Sequence, residues 1–398
     1  MSMTVAQALD RLNTPGYPAC WEKLAPAVEA EFAASGCKYV GEEYLDWVDR
    51  EFGALIHCRE LLTATAKIIR ETPELAIYTL LLSHAFADLQ GNFYPWTEWQ
   101  PPVTEDPVVG EMTAVFALLS AAPAIYAEMN GRGVPHSVIA ANIQSITFGI
   151  KIFEASYDRP GYDNGRMRWS ANFVRCSHLT VGRFNFEMGT HYDPIYIFRN
   201  KAGEYCALPA DTKIHKSGRL LGSAGCTDEE GSYDADFVET DEYWEGYACN
   251  GVFITKTRKR LLKSGWELVI KPNDQCIRVH IPRAESFRHD LVAESYARLR
   301  KILRECYPEF PEIIICGTWL LDPQIETIVG SESNLVKFRN DYHLFPRLSS
   351  GKAPFSFMFL KPFEKYEDLP EDTRLMRGVK KLYLNGEYIH EAAGICLL

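Results

Sequence analysis

One stretch, residues 275–323, limits the possible folds more than any other part of the chain. It has the pattern of a strand, a turn, a long helix and a second strand in unbroken order. The first strand alternates polar and apolar side chains, and apolar residues then recur with helical spacing as far as Cys306. A second apolar run begins at Ile313. A helical crossover joins parallel strands, so we predict a ligand crevice at the C-terminal ends of this pair.

Polar side chains lie near the ends of these two strands. His280 closes the first strand, and Trp319 and Asp322 follow the second. Histidine titrates near neutral pH, which suits His280 to take a proton from an amine or hydroxyl nucleophile; Glu187 joins the set if its strand lies beside His280. The alternatives are structural: a histidine hydrogen-bonded to a neighbour, a packed tryptophan, and an aspartate that caps the helix after Pro323.

The turn from Pro282 to Phe287 leads directly into the long helix. A helix N-terminus presents free N–H groups and a partial positive charge, which favours a phosphate at this turn with Arg283 beside it. An ordinary strand-to-helix loop capped by Ser286 explains the same residues without a ligand.

The first 150 residues are predicted to be helical. Asp106-Pro107 marks one helix start, and we expect Pro123 to end or kink that helix. The aromatic segment 92–99 either lines a ligand site or plugs the helical bundle.

A turn-rich segment, residues 158–165, predicts the domain boundary. This gives a helical N-terminal domain at 1–157 and a second domain at 158–398. Beyond the boundary the apolar pattern changes to period 2, which indicates an antiparallel meander before the central unit. A short helix over about 333–341 and a strand over 354–359 are expected after it.

Composition excludes several function classes. The net charge of −11 argues against a nucleic-acid partner, because phosphate binding requires a concentrated positive surface. The 11 cysteines are scattered without metal-ligand spacing, so we expect no metal site and a reducing compartment. The N-terminus lacks a signal-peptide pattern, and no apolar window is expected to reach the roughly 20 residues that span a bilayer. We therefore expect a cytoplasmic protein without a membrane partner.

Four segments together resemble a known family. They are Phe173 to Glu187, Val279-His-Ile-Pro-Arg283, the segment Cys316 to Pro323 with its Trp-Leu-Leu-Asp-Pro core, and Ser333-Asn334 with Phe338. In these segments the chain resembles bacterial acyltransferase-domain proteins, in which a helical N-terminal domain precedes a domain similar to the GNAT N-acyltransferases. The resemblance implies an α+β fold, with a mixed β-sheet flanked by helices and acyl-CoA held between strands Ile277 to Ile281 and Ile313 to Trp319.

The same resemblance implies a function, namely acyl transfer from acyl-CoA to a small-molecule or peptide amine. His280 or Glu187 would deprotonate the amine, and a group near Trp319 would serve the leaving thiolate. The implied catalytic residues are His280, Glu187, Trp319 and Asp322. The implied acyl-CoA-binding residues are Ile281, Arg283, Ala284, Ser286 and Asn334.

Two positions depart from the family pattern. No glycine occurs between Pro282 and Phe287, where the family often has one to cradle the CoA pyrophosphate, and Gly317 stands where the family tends to have a histidine.

Two alternative functions stay open. One is hydrolysis with Cys316 as nucleophile and His280 as base. The other is a catalytically silent ligand-binding or scaffold protein.

Overall fold

The computed structural model describes residues 3–13, 21–87, 99–283 and 287–398. The chain packs as two compact units, Met1–Val181 and Gly182–Leu398. The predicted domain limits of 1–157 and 158–398 stay a prediction. The predicted aromatic segment lies outside the described residues except for Trp99, which is buried and donates a hydrogen bond from Nε1 to the Tyr78 hydroxyl at 3.0 Å.

The first unit is helical, as predicted. Its elements are α1 Val5–Leu12, α2 Trp21–Ser35, α3 Glu42–Phe52, α4 Arg59–Glu71, α5 Pro73–Phe86, α6 Pro107–Leu119, α7 Ala122–Gly131, α8 His136–Tyr157, α9 Asn164–Val174 and the short strand β1 His178–Val181. The Asp106 carboxylate accepts a hydrogen bond from the Val108 N–H at 3.0 Å, which caps the start of α6. The expected role of Pro123 is confirmed: α6 ends at Leu119, four residues before Pro123, where the proline ring would clash with the carbonyl of a continuing helix. Pro123 itself lies in the first turn of α7, where a missing N–H costs nothing.

One stretch of the described residues, Pro107–Gly131, is long and apolar enough to cross a membrane. The expectation that no window reaches that length is therefore wrong. The stretch has a mean hydropathy of 1.7, and 78% of its tested window is buried. Core helices of folded domains have the same properties, so this is weak support for a membrane span.

The second unit contains a mixed sheet, two three-stranded antiparallel sheets and one two-stranded antiparallel sheet. Its strands are β2 Phe184–Thr190, β3 Ile195–Asn200, β4 Tyr205–Pro209, β5 Lys213–Ile214, β6 Tyr233–Asp234, β7 Val238–Glu239, β8 Tyr243–Asn250, β9 Phe253–Leu262, β10 Trp266–Ile270, β11 Gln275–His280, β12 Ile313–Thr318, β13 His343–Pro346 and β14 Ala392–Leu397. Its α-helices are α10 His289–Cys306, α11 Gln324–Val329, α12 Asn334–Asn340 and α13 Arg374–Leu384.

The mixed sheet has the order β2-β11-β12-β14-β13 in this unit. β11 and β12 are parallel, and the other neighbours are antiparallel. The three-stranded sheets, β10-β3-β4 and β7-β8-β9, and the two-stranded sheet β5-β6 form the predicted antiparallel meander. The predicted α+β fold, a helical region followed by a mixed sheet flanked by helices, is confirmed.

The two faces of the mixed sheet pack against different layers, because successive strand residues point in opposite directions. On one face Ile315 packs with Ile195 and Ile197 of the β10-β3-β4 sheet. On the other face Phe184 stacks on Tyr296 of α10, with ring centroids 5.5 Å apart. The long crossover helix therefore covers one face, and the smaller sheet covers the other.

The strand expected at 354–359 is wrong. Residues Phe355–Phe359 form a single π-helical turn, in which the rings of Phe355 and Phe359 stack 6.0 Å apart. Phe357 points outward and is 65% exposed. Alternating aromatic residues fit a strand equally well in sequence, so tertiary packing decided between the two structures.

Candidate active site

The predicted crevice lies between β11 and β12. Their backbone pairing extends only to Val279 and Cys316, although the strands continue to His280 and Thr318. Val279 and His280 of β11, with Ile315 and Gly317 of β12, line an opening at this end of the pair. This is where the sequence predicted a ligand crevice.

A glutamate, a histidine and an arginine meet beside this opening. The antiparallel register of β2 and β11 places Glu187 opposite Arg278, one residue from His280. The Glu187 carboxylate accepts hydrogen bonds from His280 Nε2 at 2.7 Å and from Arg278 Nε at 3.0 Å. The condition that brought Glu187 into the predicted set, a strand beside His280, is confirmed.

This arrangement can hold and move a proton. Because His280 Nε2 donates to a carboxylate, the second ring nitrogen, Nδ1, carries the lone pair of the neutral imidazole. Glu187 fixes the orientation of the ring and stabilises the imidazolium that forms when His280 takes a proton. Arg278 in turn holds the Glu187 carboxylate. The side chains of His280 and Glu187 are 31% and 19% exposed, so the pair is sheltered but reachable.

A cleft adjoins this pair and contains residues that the sequence analysis missed. It encloses about 280 Å³ including its open mouth. Its lining includes His191, Asp193, Arg278, His280, Gly317 and Arg347. His191, Asp193 and Arg347 follow strand ends and form no local motif, so no signal in the sequence identified them.

His191 is a buried histidine in this lining. Its Nε2 donates to the Ile195 carbonyl at 2.8 Å, and burial lowers the pKa of the imidazole. In the described part of the chain its Nδ1 is buried without a hydrogen-bond partner.

Arg347 occupies the space that Gly317 leaves open. A Cβ on residue 317 would lie 1.3 Å from Arg347 Nη1 and 2.6 Å from its Cζ. Arg347 Nε lies 3.3 Å from the Asp193 Oδ1, and the two side chains are 11% and 5% exposed. Burial raises the pKa of Asp193 to about 7, and Arg278 acts in the opposite direction. The departure noted at Gly317 thus coincides with a buried cation at the same place.

The other two predicted catalytic residues serve the packing of neighbouring segments. Trp319 begins a 3-10 turn and is buried in a cluster with Met358 and Val379. Asp322 is 1% exposed, and its carboxylate accepts hydrogen bonds from the Gln324 N–H at 2.9 Å and the His390 N–H at 2.6 Å. These contacts match the capping alternative for Asp322. Neither residue lines the cleft, and their catalytic roles stay predictions.

The predicted acyl-CoA-binding residues flank the opening. Ile281 is half-buried directly after β11, and Arg283 is exposed in the turn that follows. Asn334 is exposed at the first position of α12. Ala284 and Ser286 lie outside the described residues. The binding roles of all five stay predictions.

Arg183 contacts residues at both ends of the turn that follows β11. Arg183 Nη1 donates to the Pro282 carbonyl at 2.7 Å, and its guanidinium lies 4.9 Å from the centre of the Phe287 ring. α10 begins only at His289, with Arg288 at the N-cap position. Arg183 therefore contacts the described residues on both sides of this turn.

Cys316 is unsuited to the alternative role of nucleophile. It is fully buried, and burial raises the pKa of its thiol to about 12. Its register partner Val279 points away from the face that carries His280. The structure therefore argues against a Cys316–His280 catalytic pair.

A mixed sheet with an opening between two adjacent parallel strands is the arrangement of a GNAT-like domain. Residues 179–396 match the family described as GNAT-like C-terminal domain, and residues 55–176 match the N-acyltransferase N-terminal domain. The chain belongs to the family that joins these two domains. Among curated proteins no match was found.

Solved structures share the fold over the whole chain. An acyltransferase in complex with decanoyl-CoA and teicoplanin is 16% identical, with a TM-score of 0.61 and full coverage of both chains. Acyltransferase structures with CoA and 10C-Teicoplanin, and with decanoyl-CoA, give the same identity, coverage and TM-score. At this identity the likeness shows a common fold.

Proposed function

We propose that the protein transfers an acyl group from acyl-CoA to an amine. The observation that carries this proposal is the hydrogen-bonded Glu187–His280 pair beside the opening between β11 and β12. Membership of the acyltransferase family supports it, as do structural neighbours that bind decanoyl-CoA, one of them together with teicoplanin.

In the proposed reaction the amine attacks the thioester carbonyl directly. His280 takes a proton from the amine, and the Glu187 carboxylate stabilises the imidazolium. The carbon–nitrogen bond forms, the carbon–sulfur bond breaks, and the imidazolium returns its proton to the leaving thiolate. Backbone N–H groups that line the opening polarise the carbonyl oxygen as charge develops on it.

The co-substrate would lie at the opening between the strands. The pantetheine arm enters between β11 and β12, and the pyrophosphate rests near the α10 N-terminus beside Arg283. The acceptor is a small-molecule or peptide amine. We propose a cytoplasmic site of action, since acyl-CoA is the donor.

Thiol release from decanoyl-CoA in the presence of an amine pool tests the proposal. His280→Ala is expected to lower kcat/KM about 10²- to 10⁴-fold, because it removes the proton acceptor. Glu187→Gln is expected to lower it less, because the imidazole remains. Calorimetry that detects no binding of CoA or any acyl-CoA would contradict the proposal.

Two control variants match these changes. Glu245 accepts hydrogen bonds from Arg258 Nε at 3.1 Å and Arg260 Nε at 2.6 Å, and it is 20% exposed, which makes Glu245→Gln a counterpart of Glu187→Gln. His343→Ala removes an exposed strand histidine that stacks on Tyr205. Both controls should keep full activity; equal losses in controls and site variants would indicate unfolding.

The silent ligand-binding alternative makes a different prediction in the same assay. Such a protein would bind CoA tightly but form no product from any amine. His280→Ala would then leave CoA binding and every other measured property unchanged.

A further inference from the structure

The cleft holds a cation that the proposed reaction does not use. A guanidinium carries five N–H donors in a planar fork. Among the described residues, Arg347 makes one ion pair, from Nε to Asp193 at 3.3 Å, and its charge also interacts with the partly buried Glu391 carboxylate. Neither Nη group makes a hydrogen bond to a described residue, and Arg347 lines the cleft.

The fold makes specific room for this cation. Arg347 follows β13, and on the intervening strand β14 the small residue Ala393 pairs with both Phe345 and Gly317. The guanidinium lies over Gly317, where any side chain would collide with it.

Stability alone does not explain the arrangement. Removing a guanidinium and a carboxylate from water is costly, and buried ion pairs often stabilise less than apolar side chains of similar volume. A buried arginine whose Nη groups make no hydrogen bond to a described residue points instead to an anionic ligand.

The ligand group differs from the CoA phosphates. The turn proposed for the pyrophosphate leads into α10, which covers the face of the sheet that carries Phe184. Gly317 lies two residues after Ile315, on the opposite face, which packs against the smaller sheet. An anion at Arg347 would thus lie on the face of the sheet opposite α10. His280 lies on that same face.

We propose that Arg347 binds a carboxylate of the acceptor, so that the acceptor is an amino-acid-like amine with its amino group toward His280. This inference rests on the proposed acyl transfer. The guanidinium fork matches a carboxylate through two parallel hydrogen bonds. The Tyr192 ring lies 4.4 Å from the Arg347 guanidinium and 4.6 Å from that of Arg278, and so keeps the two cations apart.

Paired acceptors test the inference. Each standard amino acid is compared with its decarboxylated amine, both for thiol release from decanoyl-CoA and for binding to the CoA-saturated protein by saturation-transfer NMR. We expect at least one amino acid to be preferred at least tenfold over its amine.

Arg347→Met should lower kcat/KM for that amino acid about 10- to 100-fold, as expected for the loss of a charged hydrogen bond. This loss should be at least tenfold larger than the loss for the corresponding amine. Arg347→Lys, which keeps the charge but loses the fork, should recover part of the preference.

Other outcomes overturn the inference. Equal use and binding of both members of every pair would do so, and so would an Arg347→Met variant that binds CoA but loses both acceptors equally. If no acceptor is acylated while CoA binds, the proposed function fails; the NMR comparison still decides whether Arg347 selects carboxylates.

Discussion

Replacing Gly317 with alanine tests whether the Arg347 guanidinium occupies the position described. The new Cβ would lie 1.3 Å from Arg347 Nη1, whereas non-bonded heavy atoms rest about 3.5–4.0 Å apart. The guanidinium must therefore retreat by about 2 Å, which strains or breaks its contact with Asp193. Overpacking of this kind costs about 1–3 kcal/mol.

Urea unfolding monitored by tryptophan fluorescence measures this cost. In a domain of this size such a loss corresponds to a fall in Tm of about 2–12 °C. The decisive comparison is a double-mutant cycle. In an Arg347→Ala background the space is empty, so Gly317→Ala should cost less than about 0.5 kcal/mol, and the coupling energy should reach about 1 kcal/mol or more. An equal cost of Gly317→Ala in both backgrounds would refute the proposed position of Arg347.

Two further predictions concern ionisation. Burial raises the pKa of Asp193 to about 7 from its ordinary value of 3.8, so between these pH values the native state keeps a proton that the unfolded state has lost. Relative to Asp193→Asn, the wild-type free energy of unfolding should therefore fall by roughly 1.4 kcal/mol per pH unit as the pH rises from about 4 to 7. If urea titrations show the same difference between the two proteins at every pH, the prediction is contradicted. Cys316→Ser should retain acyl transfer. Iodoacetamide should leave Cys316 unmodified in the folded protein, because burial raises the pKa of its thiol to about 12. Mass spectrometry of the protein after iodoacetamide treatment checks whether Cys316 is modified.

The architecture of the central unit was accessible from sequence because its signals are local. Alternation in β11, helical spacing in α10 and a continuous apolar run in β12 each depend on neighbouring residues. The same locality identified His280, which closes its strand. Glu187 required one further condition, a strand beside His280, which local patterns do not specify.

The residues around the cleft were inaccessible for the opposite reason. Asp193 and Arg347 are distant in sequence, and each follows the end of a strand in a segment without periodicity. Their contact depends on the register of strands that sequence patterns do not specify. The mistaken strand at 354–359 has a related cause, since alternation of phenylalanines also permits a π-helical turn packed on one side.

The opening between β11 and β12 has a thermodynamic consequence. Beyond Val279 and Cys316 no backbone pairing joins the described ends of the two strands. Backbone N–H and C=O groups that lack a strand partner can form hydrogen bonds with the amides of another extended chain. The pantetheine arm of CoA is such a chain. On the proposed function, bound CoA completes the sheet as a missing strand would. A co-substrate held this way also supports the fold, by about 2.7 kcal/mol at a concentration one hundred times its Kd.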